Sequence, residues 1–277
     1  MPELPEVEVL RRDLDKETSG KKIKSVEVFD ERSIKRNANV KAFVNALEGK
    51  KITSVSRTGK WLDLALDKTD HLVIHLGMSG QLLKATPKSE DPDHLKVRLS
   101  FTQGGALLFI DPRIFGEMAV LSGEEFAATE DIQDLGLDAL DQQISWAEFG
   151  RMLMSRRTKL KSLLMDQKFI AGLGNIYSDE VLFNAGLMHD RVSNSLSAQE
   201  VRRLYRAVIE VLQEAVKYRG STLSDGGYVD LFGKPGDYRQ YHKVYDREGE
   251  ACRRCRRPVV KAKISGRSTY YCEACQV

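Results

Sequence analysis

Four cysteines, all within the last 26 residues, constrain this 277-residue chain more than any other feature. They stand as CRRC at 252–255 and CEAC at 272–275, with residues 256–271 between them. Disulfides are the bland use of paired cysteines, but they do not persist in a reducing compartment. Two such knuckles at this spacing fit a tetrahedral zinc site instead. Cys252, Cys255, Cys272 and Cys275 are therefore expected to hold one structural Zn2+ through four thiolates. The intervening VVKAKISGRSTYY reads as a hairpin, with Ser265 and Gly266 near its turn. This unit has too little apolar surface to fold alone, so the metal is expected to close it.

Ahead of the knuckles the hydrophobic pattern changes twice. Val7, Leu10 and Leu14 recur at helical spacing over residues 6–19, and Gly20 stops the run. Short apolar segments then follow between turn residues: KSVEVF, KWLDLAL, HLVIHL, LKVRLSF and GALLFID. In LKVRLSF, Leu95, Val97, Leu99 and Phe101 alternate with Lys96, Arg98 and Ser100, the period of a half-buried antiparallel strand. Several such strands suggest a sandwich. After DLGLDAL at 134–140 the pattern turns helical. Ser197 and Glu200 form a capping box ahead of a stripe of Val201, Leu204, Val208, Val211 and Ala215. The expected class is α+β: an N-terminal helix plus antiparallel β-sandwich over 2–134, a helical domain over 135–250 and a zinc hairpin over 251–277. The Gly- and Asp-rich stretch SDGGYVDLFGKPGDY, 224–238, reads as a long mobile loop of the kind used as a lid.

The net charge of +3 hides an uneven distribution. Nine acids and no Lys or Arg lie between Glu117 and Glu148, whereas seven basic residues and one acid lie between Cys252 and Cys275. A second basic cluster, RRTKLK, occupies 156–161. Charge separated in this way suggests one surface turned to a polyanion such as nucleic acid. No apolar run approaches the roughly 18 residues of a membrane span, and the acidic start lacks a secretory core. A cytoplasmic protein is expected.

Several short motifs say little singly. MPELPEVE places Pro2 between Met1 and two acids, Glu3 and Glu6. Proline and acids suit a first helical turn, and a small second residue also permits removal of Met1. IAGLGNIYSDE, 170–180, sets Gly172 and Gly174 before a helix whose open N–H groups, with Asn175, suit a phosphate; tight helix packing would explain the glycines equally well. HLGMSG and DPRIFG put Met78, Arg113 and Phe115 on turns beyond strand ends. An apolar wedge, a guanidinium and a ring are suitable parts for entering a duplex that has lost a base from its stack.

Taken together, PELPEVE, TGKWL at 58–62, HLGMSG, DPRIFG, GLGNIYSDE, the GKPG of the 224–238 stretch and the paired CxxC knuckles resemble the bacterial formamidopyrimidine-DNA glycosylase family, in that family's order from residue 2 to residue 275. The resemblance implies a base-excision enzyme, a glycosylase and AP lyase that removes 8-oxoguanine and ring-opened purines from damaged double-stranded DNA. It implies a monomer with no membrane partner and a helix–two-turn–helix around GLGNIY. It assigns Pro2 as the nucleophile once Met1 is gone, Glu3 as the acid acting at the sugar ring oxygen, and Glu6 as a second essential carboxylate. Lys60 matches the lysine on the phosphate beside the lesion. Asn175 and Arg267 match phosphate clamps, and His75 is expected to face the backbone. Met78, Arg113 and Phe115 match the trio that fills the gap and meets the orphaned cytosine. Residues 224–238 match the segment that closes over the flipped base. Ile114 stands where a second basic residue is frequent, which removes an extra phosphate contact. Two rivals are weaker. An endonuclease VIII-like enzyme for oxidised pyrimidines typically has Gly at the position of Leu4. A non-catalytic binder of damaged DNA leaves PELPE and Lys60 unexplained.

Overall fold

Helix α1 (Leu4–Thr18) starts directly behind the PELPE turn. Pro5 costs no hydrogen bond in the first turn, and the Glu6 carboxylate accepts the N–H of Glu3 at 2.8 Å, half of a capping box. Leu4, Val7, Leu10 and Leu14 are all buried, so the helix lays one apolar stripe on the core. The structure, a computed structural model, describes residues 1–86, 89–142, 144–264 and 266–277. Ser265, expected near the hairpin turn, lies outside the described residues.

After α1 come β1 (Ile23–Val28), α2 (Val40–Leu47), β2 (Ile52–Thr58), β3 (Trp61–Leu66), β4 (His71–His75), β5 (Gln81–Ala85), β6 (Leu95–Phe101), β7 (Ala106–Ile110) and β8 (Glu117–Leu121). They form two four-stranded sheets, ordered β1-β6-β7-β5 and β2-β3-β4-β8, with every pairing antiparallel. Ile23, Val97, Leu99, Leu107 and Phe109 from one sheet meet Ile52, Leu62, Leu64, Leu72, Ile74 and Met118 from the other in a single core with α1 and α2. Each such side chain contributes about 1.5–3 kcal/mol on leaving water. The expected sandwich is present. Three of its strands, β2, β5 and β8, and helix α2 were not singled out from the sequence. Leu95 departs from the alternation read for its strand. A register shift between Leu95 and Val97 carries it off the main core, onto a small cluster with Ala85, Leu108 and Ile110. Two short helices, α3 (Gly123–Ala128) and α4 (Glu130–Gln133), follow β8.

The chain divides into two compact units, one of Met1–Asp134 with Arg219–Asp237, the other of Leu135–Tyr218 with Tyr238–Val277. The segment returning to the first unit corrects the picture of 224–238 as one free loop. Tyr228 and Leu231 sit in the sandwich core. Asp230 is buried and accepts the N–H groups of Phe232 and Lys234, both at 2.9 Å. Arg219 bridges Asp230 and Asp13. Residues 224–226, 232–235 and Asp237 are exposed.

The second unit holds α5 (Trp146–Met154), α6 (Leu160–Leu164), α7 (Asn175–Ala185) and α8 (Ala198–Lys217), then the hairpin β9 (Val260–Ile264) and β10 (Arg267–Tyr271). Ser197 caps α8 as expected, an interaction worth about 1 kcal/mol, and all five stripe residues are buried. Phe183 and Val244 pack on Val259, Tyr270, Cys252 and Cys272 beneath the hairpin. Among the described residues no helix is long and apolar enough to cross a membrane.

Candidate functional site

At the tip of α1, Pro2 is buried and Met1 is 45% exposed. With Met1 attached the Pro2 nitrogen is an amide; removal of Met1 makes it an amine. Glu3 and Glu6 are both buried. Glu6 holds two backbone groups, accepting from Glu3 at 2.8 Å and from Ser221 at 2.7 Å. Gly220 lies so close that a Cβ there would come 2.7 Å from the Glu6 Oε1, and its φ of +78° also demands glycine. Glu6 therefore fixes Glu3 and the start of the 219–237 segment against the same helix tip.

Lys60 lies in the turn between β2 and β3, not in the strand itself. Thr58 pairs with Trp61, leaving Gly59 and Lys60 as a two-residue hairpin turn in which Gly59 supplies a φ of +56°. Trp61 in turn pairs with His75, whose ring centroid lies 4.8 Å from that of Trp61. The Arg36 guanidinium lies 5.2 Å from the Trp61 ring. Burial first, then the charges of Lys60, Lys35 and Arg36, push the His75 pKa down to about 4. Its Nδ1 accepts the Gly77 N–H at 3.1 Å, so the neutral ring carries its proton on Nε2. His75 is thus a hydrogen-bond donor rather than a cation.

Met78 and Phe115 are 45% and 51% exposed, unusual for such side chains, and the Arg113 guanidinium lies 4.9 Å from the Phe115 ring. Their turns are joined beneath by Asp111, which sequence reasoning did not single out. This fully buried carboxylate accepts from Ser79 Oγ at 2.6 Å, the Gly116 N–H at 2.8 Å and the Arg113 N–H at 3.2 Å. A Cβ on Gly77 would come 2.5 Å from the Gly116 nitrogen, so backbone meets backbone. Ile114 adopts a φ of +57°. The available signal was Asp–Pro at a strand end, which marks a turn without revealing its second strand.

In the second unit Asn175 is the first residue of α7, behind the N-cap Gly174. Its Oδ1 is buried and finds no hydrogen-bond partner among the described residues. The Gly172 N–H is not open, since Gln167 Oε1 accepts it at 2.8 Å while Gln167 Nε2 donates to Leu173 O. One turn along α7, Asp179 accepts from Lys161 Nζ at 2.7 Å and from the Tyr270 N–H at 2.9 Å. Lys161 also donates to Ser268 O at 3.1 Å. Glu180 accepts the N–H groups of Lys243, Val244 and Tyr245 at 2.8–2.9 Å. These two carboxylates fasten the hairpin and its approach to α7, and Arg267 is exposed at the start of β10. The basic clusters are accordingly not uniform surfaces. Lys161 is buried, Arg253 donates to Gln240 O, and Arg254 lies 4.6 Å from the Phe183 ring.

The four cysteine sulfurs lie within 4.8 Å of one another, at 3.4 Å for Cys255–Cys272 and 3.9 Å for Cys252–Cys275. A tetrahedron of thiolates about 2.3 Å from a zinc ion has edges of about 3.8 Å, so the set fits the metal. Bound there, zinc supplies cross-linking of the hairpin rather than chemistry.

Three family models cover most of the chain: the formamidopyrimidine-DNA glycosylase N-terminal domain at residues 1–118, its H2TH domain at 135–226, and the zinc finger found in FPG and IleRS at 249–277. A formamidopyrimidine-DNA glycosylase of Pelotomaculum thermopropionicum is 38% identical over 276 residues, covering 100% of this chain and 99% of the relative. That of Desulforamulus reducens is 40% identical over 277 residues with the same coverage. Among solved structures, the MutM (FPG) protein of Thermus thermophilus shares 39% identity at a TM-score of 0.88, covering 99% of this chain and 98% of its own. The Lactococcus lactis Fpg in complex with abasic-site DNA shares 32% at 0.90, covering 99% of each. The matched ranges take in the helix tip, the turns at 75–80 and 111–116, the α7 loop and the four cysteines, and the chain belongs to the formamidopyrimidine-DNA glycosylase family.

Proposed function

We propose that the protein excises oxidised purines, 8-oxoguanine and formamidopyrimidines, from duplex DNA and then cleaves the strand at the abasic site. The observation that carries this reading is the tip of α1, where Pro2 and Glu3 are buried together in a chain matched end to end by such glycosylases. A terminal α-amine titrates near about 8, so a useful fraction is unprotonated at neutral pH without a large shift. The amine attacks C1′ of the damaged nucleoside and the base departs with its bonding pair. Glu3 gives a proton to the ring oxygen, the sugar opens, and loss of the remaining amine proton leaves a Schiff base. Removal of a C2′ proton then expels the 3′ phosphate, and a second elimination expels the 5′ phosphate.

The remaining residues position the strand. Lys60 takes the phosphate beside the lesion, His75 donates through Nε2, and Asn175 and Arg267 clamp further phosphates. The exposed side chains of Met78, Arg113 and Phe115 fill the space left by the extruded nucleotide and meet the orphaned cytosine. Residues 224–238 close over the flipped base, through their exposed tips. The protein works as a monomer in the bacterial cytoplasm, where the four thiols stay reduced.

Borohydride trapping tests the reading. Protein with a free Pro2 is expected to form a covalent adduct with duplex carrying 8-oxoguanine opposite cytosine, and Pro2→Gly or Met1-retaining protein to form at least about 100-fold less. No adduct from protein shown by mass to lack Met1 overturns it. A strong preference for thymine glycol overturns the substrate assignment alone.

A further inference from the structure

Glu8 and Arg57 form an ion pair that none of the chemistry above uses. Their side chains are 4% and 0% exposed, and Arg57 Nε meets Glu8 Oε2 at 3.1 Å. Glu8 also receives Arg11 at 2.9 Å and Arg12 at 2.6 Å. Burial pushes the Glu8 carboxyl up, but the hydrogen bonds from Arg11 and Arg12 and the charge of Arg57 outweigh it and hold the pKa at about 2. The pair is therefore ionised at any working pH. As a source of stability it is replaceable, because apolar residues of similar volume commonly serve a buried site as well. Its distinctive property is direction. The planar guanidinium presents several donors in a fixed fork, and here Nη1 donates to Gly59 O at 3.1 Å.

Gly59 is half of the two-residue turn that carries Lys60, and Glu8 lies on α1 little more than one turn beyond Glu3. One buried guanidinium thus links the helix that presents Pro2 and Glu3 to the peptide immediately before Lys60. We propose that Glu8 and Arg57 are positioning residues for Lys60, setting the height of its ammonium over the helix tip so that phosphate and sugar are engaged in one geometry. The proposal rests on the reading of Lys60 as a phosphate contact. Arg57 has no exposed side-chain surface with which to touch DNA itself.

The test is a mutant cycle on the full chain with Met1 removed, using duplex that carries 8-oxoguanine. Lys60→Ala is expected to reduce the log–log salt slope of binding by about 0.9, the loss of one phosphate contact. Arg57→Met, although buried, is expected to reduce that slope by a comparable amount and to lower single-turnover excision roughly 10- to 100-fold. Because both act through one ammonium, the double variant should fall no more than about 3-fold below Lys60→Ala. A wild-type slope in Arg57→Met, or losses that multiply in the double variant, overturns the positioning role. A wild-type slope and rate in Lys60→Ala overturn the phosphate reading instead. Should Arg57→Met not fold, Glu8→Gln, which keeps the side chain's shape and removes its charge, replaces it in the same cycle with the same criteria.

Discussion

The two units hold the residues proposed to meet nucleic acid in opposite ways. In the first, the exposed side chains Met78 and Phe115 stand on turns pinned by a buried carboxylate, Asp111, above a large apolar sandwich core. In the second, the hairpin that offers Arg267 has only a thin apolar base. It is held by four sulfurs at one end and by Asp179 and Glu180 of α7 at the other. A carboxylate fastening backbone N–H groups is common to both. The difference lies in what remains when a fastener is lost: a folded sandwich with loosened turns, or a hairpin with nothing to fold around.

Removing the metal should separate the units most sharply. Structural zinc contributes on the order of 10 kcal/mol to small finger domains, so chelation or Cys272→Ser should unfold the hairpin. DNA affinity is expected to fall about 100-fold or more, while the circular dichroism of the sandwich and its unfolding midpoint stay in place. Tight binding by zinc-free protein would deny the hairpin its clamp role. Asp111→Ala, next in size, strips the acceptor from three donors and should destabilise the first unit by about 3 kcal/mol. Excision should fall with it, and the second unit should be unaffected, as hydrogen exchange resolved by unit will report. The smallest effect is set by pH. His75 is held neutral in the fold, so its stabilisation is complete above its ordinary pKa near 6.5 and is lost as pH falls toward about 4. Denaturant midpoints of the first unit should decline progressively across that window. His75→Gln should flatten the decline there and leave the second unit, where burial also pushes His242 down, unchanged.

Much of this architecture was legible where the signal is local. Cysteine spacing, the Ser197 capping box and the alternation of LKVRLSF from Val97 onward each depend on residues within a few positions, and the structure bears them out. What sequence reasoning missed depends on partners far away in the chain. Lys161 looked like part of a basic surface because nothing in RRTKLK reveals Asp179, 18 residues on, which draws it into the interior. Arg57 and Glu8 are 49 residues apart, and neither is unusual alone. The stretch 224–238 has a loop's composition, yet Tyr228 and Leu231 fill the sandwich, because a few apolar residues suffice to anchor a Gly-rich segment to an existing core. Leu95 shows the finer limit, where a single register shift moves a side chain to the opposite face without altering the pattern that predicts it.

The seam where Gly77 abuts Gly116 admits no methyl group on either strand of the contact. Asp111 also bonds both turns, so in the proposed wedge role they act as a single blunt chisel. When such an implement presses on a duplex, compliance has to come from the nucleic acid. Base pairs already loosened by damage yield at lower cost than sound ones, so stiffness in the protein becomes a means of sorting what it touches.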